Sequence, residues 1–364
     1  MSKAAELAKA GETLTNQPSG RKNLVTNGAM QVAQRATSET GLGGAADSFP
    51  TCDRFSVSQT ATAGRYTMTQ TADGPSGFAN CIKLDCTTAD ASIASSEFFL
   101  LRQRIEGQDV QVFAKGTSDA KKYALSFYVK GNASATYVAE IMDNDNSNRH
   151  VGKTFAVTTD WTRVEMIFPA DTTGAFDDDN GNSLELNIWL HSGSDRTSGT
   201  LQQTWGALAQ ANRAVGISSF FSSTDNEFFI TGVQLEVGSQ ATNFEHRSFG
   251  EELALCERYY YNYVSGNLKS VFAATAILAN YIAGVITFPV TMRAAPTLDI
   301  VSGTNYYEEY SGGSAEFDDF TGERLDTNSA TLSKNGGGPT IAVGDSAIVY
   351  TNNASASISF DAEL

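Results

Sequence analysis

A strand, a short helix and a second strand follow one another in the middle of the chain, and this order limits the possible folds. Residues 228–237 alternate between two sets of side chains with the period of a β-strand. Ser248 and Glu251 then have the spacing of a capping box, which predicts a short helix from about Phe249 to Glu257. Residues 259–264 form an alternating aromatic strand. The segment therefore predicts the end of one β-domain, a helical connection and the start of another β-domain.

The region before this helix, residues 23–247, has mainly β patterns. Clusters of Gly, Pro, Asn and Asp separate its alternating runs. Eight or more antiparallel strands at this spacing predict a two-sheet sandwich, and a jelly roll in particular. The predicted strands are residues 53–58, 81–86, 98–105, 123–130, 137–142, 161–168, 183–190 and 228–237.

Residues 258–364 form a second, smaller predicted β-domain. Several of its strands are apolar, and small domains of this kind often bury a face against further copies of the chain. The pattern alone permits a monomer, a dimer or a trimer. The predicted strands are residues 259–264, 269–277, 281–288, 297–301, 314–317, 330–332, 346–350 and 356–362.

The first 22 residues are predicted to form an N-terminal helix and a linker. Ala4, Leu7 and Ala8 share one helical face, and Gly11 can end the helix. A helix this short is marginal in water, so it either packs on another surface or frays. The fold class is therefore all-β with a short N-terminal helix. The four segments are residues 1–22, 23–247, 248–257 and 258–364.

The charge balance excludes several function classes. With 25 Lys and Arg against 41 Asp and Glu, the formal net charge is −16 and the isoelectric point is about 4.6. A protein that binds nucleic acid through phosphates needs a basic stripe, so nucleic acid is not an expected partner. No run of about 18 apolar residues is present, so we expect no membrane insertion.

The N-terminus is too polar for a secretory signal, which indicates synthesis in a cytoplasm.

The sequence offers little support for catalysis, and we expect that the protein is not an enzyme. It has three histidines, and no nucleophile elbow, zinc-protease motif or phosphate-binding loop accompanies them. Acidic residues are plentiful in the turns. Their order does not identify the pair of carboxylates that a glycosidase uses, so polysaccharide depolymerase activity stays an alternative. No cofactor is required by any motif.

The junction resembles that of tail-fibre and related virion proteins of tailed bacteriophages. The resemblance begins with Gly232-Val-Gln-Leu-Glu-Val-Gly238, Phe244-Glu-His-Arg-Ser-Phe-Gly-Glu-Glu-Leu-Ala-Leu-Cys256 and Arg258-Tyr-Tyr260. Further landmarks in the same order are Asn27-Gly-Ala-Met-Gln-Val-Ala-Gln-Arg35, Asp53-Arg-Phe55, Ser126-Phe-Tyr-Val-Lys-Gly131, Asp160-Trp-Thr-Arg163, Phe288-Pro-Val-Thr-Met-Arg-Ala-Ala-Pro296 and Ile358-Ser-Phe-Asp-Ala-Glu-Leu364.

The resemblance implies a structural virion protein, made in the host cytoplasm and assembled into the tail or another appendage. A homotrimer would attach to other virion proteins through its N-terminus. A sandwich like a carbohydrate-binding module would bind host-surface polysaccharide during adsorption, and multiple copies would raise the avidity. A head-decoration or neck fibre is the structural alternative, and a depolymerase is the enzymatic one.

Sugar recognition uses aromatic faces beside polar side chains. Trp161 and Trp189 lie in regular strand patterns and are expected in the core. The more irregular segments supply the candidate glycan-binding residues, which are Trp205 in the first domain and the predicted loop residues Tyr306, Tyr307 and Tyr310 in the second.

Calcium is the one cofactor that the pattern leaves open. Loops rich in Asp, Asn and Gly supply the oxygen ligands that this ion prefers. Sandwiches like carbohydrate-binding modules often hold a structural calcium ion near their first and last strands. By that resemblance the candidate ligands are Asp53, Glu236 and Asn243.

Overall fold

The computed structural model describes Lys3 and residues 21–44, 47–60 and 62–364. The predicted N-terminal helix within residues 1–22 falls outside this part of the chain, apart from Lys3, Arg21 and Lys22. The chain divides into two compact units, 1–252 with Leu364 and 253–363. Strands dominate both units, which confirms the all-β prediction. Within the described residues, no helix is long and apolar enough to cross a membrane.

The first unit consists of two six-stranded antiparallel sheets. Sheet 1 has the order β1-β3-β4-β12-β6-β9, and sheet 2 has the order β11-β8-β7-β10-β5-β2. Their strands are β1 Ser38–Leu42, β2 Ser56–Gln59, β3 Arg65–Thr71, β4 Cys81–Thr88, β5 Phe98–Glu106, β6 Tyr123–Gly131, β7 Ala135–Asp143, β8 Arg149–Val157, β9 Thr162–Phe168, β10 Asn182–Ser192, β11 Gly206–Ala207 and β12 Glu227–Val237.

Short helices connect some of these strands. They are α1 Gly107–Val110, α2 Ser194–Thr197 and the 3-10 turns Gln111–Phe113, Gln210–Asn212 and Phe220–Ser222.

The core of this unit lies between the two sheets. Strand β4 illustrates how the core forms. Its residues Ile82 and Leu84 are fully buried, while Lys83 and Asp85 on the opposite face are half-exposed. Alternate side chains of a strand point to opposite faces, so each strand contributes one row to the core. The predicted jelly-roll sandwich is confirmed.

Strand β12 holds the centre of sheet 1. Residues 227–230 of β12 pair with β4, and residues 228–231 and 234–237 pair with β6. The register with β6 shifts between Thr231 and Gln234, and Gly232 there has a φ of +62°. Glycine adopts a positive φ without steric cost, which explains why a Gly lies within an otherwise regular strand pattern.

The predicted capping box is present at the start of α3, Phe249–Glu257. The Ser248 backbone N–H donates to Glu251 Oε2 at 2.9 Å, and the Glu251 N–H donates to Ser248 Oγ at 3.3 Å. These bonds satisfy backbone groups that a helix start leaves without partners. The predicted helix bounds are confirmed.

The second unit has three small antiparallel sheets, β13-β22-β16, β14-β21-β17-β18 and β15-β20-β19. Two strands were not predicted: β17, which falls in the expected tyrosine loop, and the three-residue β19. The strands are β13 Tyr260–Ser265, β14 Ser270–Thr275, β15 Tyr281–Thr287, β16 Thr297–Val301, β17 Tyr307–Tyr310, β18 Ser314–Phe317, β19 Thr321–Glu323, β20 Ser329–Asn335, β21 Ser346–Thr351 and β22 Ser357–Asp361.

A buried polar network covers the outer face of sheet 2. Glu140 is fully buried, and its carboxylate accepts hydrogen bonds from Arg213 Nη2 at 2.7 Å and Trp189 Nε1 at 2.9 Å. His150 Nδ1 lies 2.9 Å from the same carboxylate. Although burial acts to raise it, the Arg213 guanidinium and these bonds hold the pKa of Glu140 at about 2. The carboxylate therefore stays charged, and its hydrogen bonds to Arg213 hold the segment around that residue against the sheet.

The first unit should lose stability in acid through this network. The folded pKa of about 2 lies below the reference of 4.5, so the contribution is complete above pH 4.5 and disappears as the pH falls towards 2. It amounts to roughly 3 kcal/mol. All three tryptophans belong to this unit, so denaturant unfolding followed by tryptophan fluorescence between pH 7 and 2 measures it selectively.

Glu140→Gln should destabilise the unit by about 3–5 kcal/mol at pH 7, because it leaves the Arg213 charge buried without a counter-charge. Glu165→Gln is the matched control. Its carboxylate is 49% exposed and pairs with Arg163 at the surface, so the change should stay below about 1 kcal/mol. Equal effects of the two substitutions would contradict the assigned role of Glu140.

Candidate functional site

Trp205 packs against the core of the first unit and is half-buried. Its Nε1–H donates to the Pro169 carbonyl at 2.8 Å, and its ring lies 5.5 Å from that of Tyr123. The indole is thus held by internal partners on its polar and apolar sides. Trp205 is therefore half-buried, and its assignment to glycan binding stays a prediction.

Tyr306, Tyr307 and Tyr310 do not form the predicted aromatic loop. Tyr307 begins β17 and is fully buried, and its hydroxyl donates to the carbonyls of Val301 at 2.8 Å and Ser357 at 3.0 Å. Burial raises the pKa of Tyr307. Tyr306 is half-buried against the same core. Tyr307 is therefore unavailable to a glycan, and the prediction for it was wrong.

Tyr310, at the other end of β17, is 55% exposed. It lines an open groove of about 420 Å³ on the outer face of the four-stranded sheet. Ala273 and Tyr310 both pair with Ile348 of β21, from opposite sides, so these side chains form a row across three strands. The row is predominantly apolar, and Ile348 is 45% exposed.

The residues predicted to bind calcium are used in internal hydrogen bonds. Asp53 is fully buried, and its two oxygens accept bonds from the Gln34 backbone N–H at 2.9 Å and side chain at 2.6 Å. Glu236 Oε1 accepts from the Thr242 backbone at 2.8 Å. Asn243 is exposed. Calcium binding by these three residues therefore stays a prediction.

A groove on the outer face of sheet 1 combines aromatic and polar groups more favourably. It is open, measures about 480 Å³ and lies over β4, β12 and β6. The lining residues are Thr71, Asp73, Lys83, Lys130, Gly131, Asn132, Thr159, Glu227 and Phe229.

Phe229 lies at the base of this groove and is 6% exposed, so a ligand reaches little of its ring. In the sheet register it stands opposite Lys83 of β4 and opposite Lys130 of β6. The two ammonium groups lie 5.6 and 4.5 Å from the centre of its ring. Trp161, at the start of β9, is half-buried beside them, with its ring 6.2 Å from Phe229 and 5.4 Å from Lys130 Nζ. Two rings and two ammonium groups thus meet on one face.

Carboxylates fix both lysines around the ring. Lys83 Nζ lies 2.5 Å from Glu227 Oε1, and Lys130 Nζ lies 2.7 Å from Asp73 Oδ2. Although partial burial acts to lower it, the bond to Glu227 raises the pKa of Lys83, so that side chain is an ammonium at neutral pH. The groove therefore offers charged donors and acceptors in balanced number beside the half-exposed indole of Trp161, while the Phe229 ring supports the two lysines from below. This combination suits a ligand rich in hydroxyl and C–H groups.

Sequence reasoning had assigned Trp161 to the core and did not single out Phe229. Alternation places Phe229 opposite the core-facing Phe228, but an apolar residue on that face has no distinctive signal by itself. The indole Nε1 of Trp161 is buried and has no hydrogen-bond partner among the described residues. Lys83 and Lys130 lie in alternating strand patterns, but nothing in the sequence indicated that their strands flank the one that contains Phe229.

Comparison of the sequence with protein-family models and with curated proteins gave no match. Among solved structures, the chain is similar to the family 11 carbohydrate-binding module from Clostridium thermocellum in complex with a β-1,3-1,4-mixed-linked tetrasaccharide. The identity is 11%, the TM-score is 0.28, and the match covers 58% of this chain and 99% of that one. It is also similar to TmCBM61 in complex with β-1,4-galactotriose, with 10% identity, a TM-score of 0.30 and coverage of 60% and 100%.

A third similar structure is the enzymatically active domain of bacteriophage CBA120 tailspike protein 4. The identity is 14% and the TM-score 0.30, over 59% of this chain and 21% of that one. The match thus spans about a fifth of the tailspike chain. Likenesses this distant carry no argument about ligands, so a functional proposal depends on the chain's own residues.

Proposed function

We propose that the protein is a structural component of a tailed-phage virion, a tail fibre that binds host-surface glycans through the groove around Phe229 on sheet 1. The supporting observation is the arrangement of the Phe229 and Trp161 rings with two ion-paired lysines. Apolar ring faces pack on the C–H groups of a sugar, while ammonium and carboxylate groups bond to its hydroxyls. The sequence resemblance of the junction supports the virion assignment.

A rigid sheet is a favourable support for such a site. Lys83, Phe229 and Lys130 belong to three neighbouring strands whose other faces are packed in the core. Their positions are therefore fixed before a ligand arrives, which lowers the entropic cost of binding. Weak binding at one groove becomes effective adsorption when several copies engage the same surface.

The net charge affects which surfaces can be bound. At −16, the protein as a whole is repelled by anionic polysaccharide at low ionic strength. At physiological salt the Debye length is about 8 Å, so repulsion beyond that range is largely screened. Bonds within the groove then act over shorter distances than the repulsion. Binding should consequently strengthen with added salt for an anionic glycan and stay unchanged for a neutral one.

Trp161→Ala should weaken glycan binding about tenfold, equal to about 1.4 kcal/mol, because the indole supplies most of the ring surface that a sugar can reach. A glycan array identifies the ligand, and calorimetric titration measures its affinity. Trp205→Phe is the matched control, since this ring lies in the same unit but packs on the core. The proposal fails if no glycan is bound, or if Trp161→Ala binds as tightly as the unmodified protein.

We also propose that the apolar row Ala273, Ile348 and Tyr310 lies in an interface between copies of the chain, within a homotrimer. Ile348→Glu should dissociate the oligomer, since it places three carboxylates in a buried apolar contact. Sedimentation velocity measures the change. Val301→Glu is the control, because Val301 is comparably exposed at 42% but belongs to another sheet. A monomeric unmodified protein, or a trimer that survives Ile348→Glu, would refute this interface.

Immunogold labelling of intact particles tests the virion position independently of glycan binding. We expect gold at the tail. Labelling of the head or neck would instead identify the decoration or neck-fibre alternative, in which contact with the host is not required. Incubation of host polysaccharide with the protein should leave the chain length unchanged, whereas shortened chains would identify a depolymerase.

A further inference from the structure

We propose that Asp90, Glu97 and His191 form a binding site for one divalent transition-metal ion of the zinc class. The site lies in the first unit, and it shares no residue with the set expected to bind calcium or with the lining of the groove around Phe229. The proposed metal site can therefore be tested independently of the proposed glycan binding.

Three different parts of the fold bring the ligands together. Asp90 follows β4, Glu97 precedes β5, and His191 is the penultimate residue of β10. One ligand atom of each lies within 4.8 Å of the others. The exposed fractions are 3% for Asp90, 9% for Glu97 and 0% for His191. Among the described residues, this is the one cluster of at least three His, Cys, Asp or Glu side chains with such spacing.

The orientation of His191 is the observation that points to a ligand. Its Nδ1 lies 2.8 Å from Ser219 Oγ, which fixes the ring. Its Nε2 is buried, has no hydrogen-bond partner among the described residues, and faces Glu97 Oε2 at 3.8 Å. A separation of 3.8 Å is too long for a hydrogen bond. Two atoms that each bind a metal at about 2.1 Å can stand up to about 4.2 Å apart, so an ion fits between them.

Hydrogen bonds orient the two carboxylates in the same way. Asp90 Oδ2 accepts from Thr62 Oγ1 at 2.7 Å, and Asp90 Oδ1 accepts from the Ser92 N–H at 3.0 Å. Glu97 Oε2 accepts from the Ala94 N–H at 3.0 Å. Asp90 Oδ2 also accepts from the Ala63 N–H at 3.0 Å, so Asp90 Oδ1 and Glu97 Oε2 are the oxygens that keep a further lone pair. Such outer bonds commonly hold metal ligands in place.

The charge at this cluster is not balanced by nearby basic side chains. In the described chain, neither Asp90 nor Glu97 forms an ion pair with Lys or Arg, and the basic group that faces Glu97 is His191 at 3.8 Å. Two buried carboxylates that face each other repel, and an enclosed cation removes the repulsion. Burial lowers the pKa of His191 to about 4, which leaves the imidazole neutral, the form that ligates metals.

The ligand set selects the class of metal. Calcium and magnesium prefer sites built from oxygen atoms alone. One imidazole nitrogen with two carboxylates suits zinc, cobalt and related ions, with water in the remaining coordination position. Bound there, the ion would tie the connection between β4 and β5 to the end of β10. The site thus stabilises the loops at that end of the sandwich.

The alternative occupant is a proton shared between Asp90 and Glu97. Burial and the negative charge of Asp90 raise the pKa of Glu97, as such a pair requires. A shared proton needs no metal and leaves His191 Nε2 without a partner. The two explanations predict opposite results on addition of zinc.

The test uses the full chain without a histidine tag, treated with chelator and dialysed. Calorimetric titration with Zn²⁺ should give one site per chain. The tryptophan-monitored melting temperature should rise by roughly 5–10 °C at a zinc concentration 100 times Kd. Glu97→Gln and Asp90→Asn, both nearly isosteric, should each weaken binding at least tenfold. Glu165→Gln, with its exposed carboxylate, should leave both readouts unchanged.

Cobalt distinguishes this site from the cysteines. Cys52, Cys81, Cys86 and Cys256 are buried free thiols, and zinc bound by them would also register in a titration. Co²⁺ bound to Asp90, Glu97 and His191 should show visible d–d bands without the near-ultraviolet thiolate charge-transfer band, and His191→Gln should abolish these bands. Absence of zinc binding, thiolate bands, or unchanged affinity in both carboxylate variants would each overturn the proposal.

Discussion

Burial of the apolar faces between two six-stranded sheets is the constraint on which the rest of the first unit depends. Each strand sends alternate side chains inward, so the residues between them are necessarily presented on the outside. Phe228 and Ile230 of β12 fill the core, and this fixes Phe229 on the outer face of sheet 1. The candidate groove is therefore a direct consequence of core packing.

The outer faces of the two sheets differ in a way that bears on function. On sheet 2, Glu140, Arg213 and Trp189 form a closed network in which charge is neutralised and water is excluded. On sheet 1, Lys83 and Lys130 pair with carboxylates at the rim of an open groove. A buried ion pair mainly maintains structure, whereas half-exposed pairs can exchange partners with a ligand. This difference favours sheet 1 as the binding face.

The aromatic candidates are more buried than the sequence suggested, for a common physical reason. Trp205 was expected to be exposed because its segment lacks a regular pattern, yet its ring fills a place beside Tyr123. Tyr307 was expected in a loop, yet it occupies the inward position of β17. The residues next to an aromatic side chain in the sequence indicate neither which strands will lie beside it nor the space between those strands. Aromatic side chains bury large apolar areas, so filling an accessible gap in the core with such a ring lowers the free energy.

The period-2 patterns and the capping box were determined by the sequence alone. Side-chain direction along a strand and the satisfaction of helix-end N–H groups involve residues only a few positions apart. Eight of the twelve sandwich strands, most strands of the second unit and the helix after Ser248 were predictable for that reason, whereas β1, β3, β8 and β11 were not predicted. The tertiary structure alone decided that Lys83, Phe229 and Lys130 stand side by side, and that His191 faces Glu97. These neighbours are distant in the chain, and strand register, set by packing across the whole sandwich, brings them together.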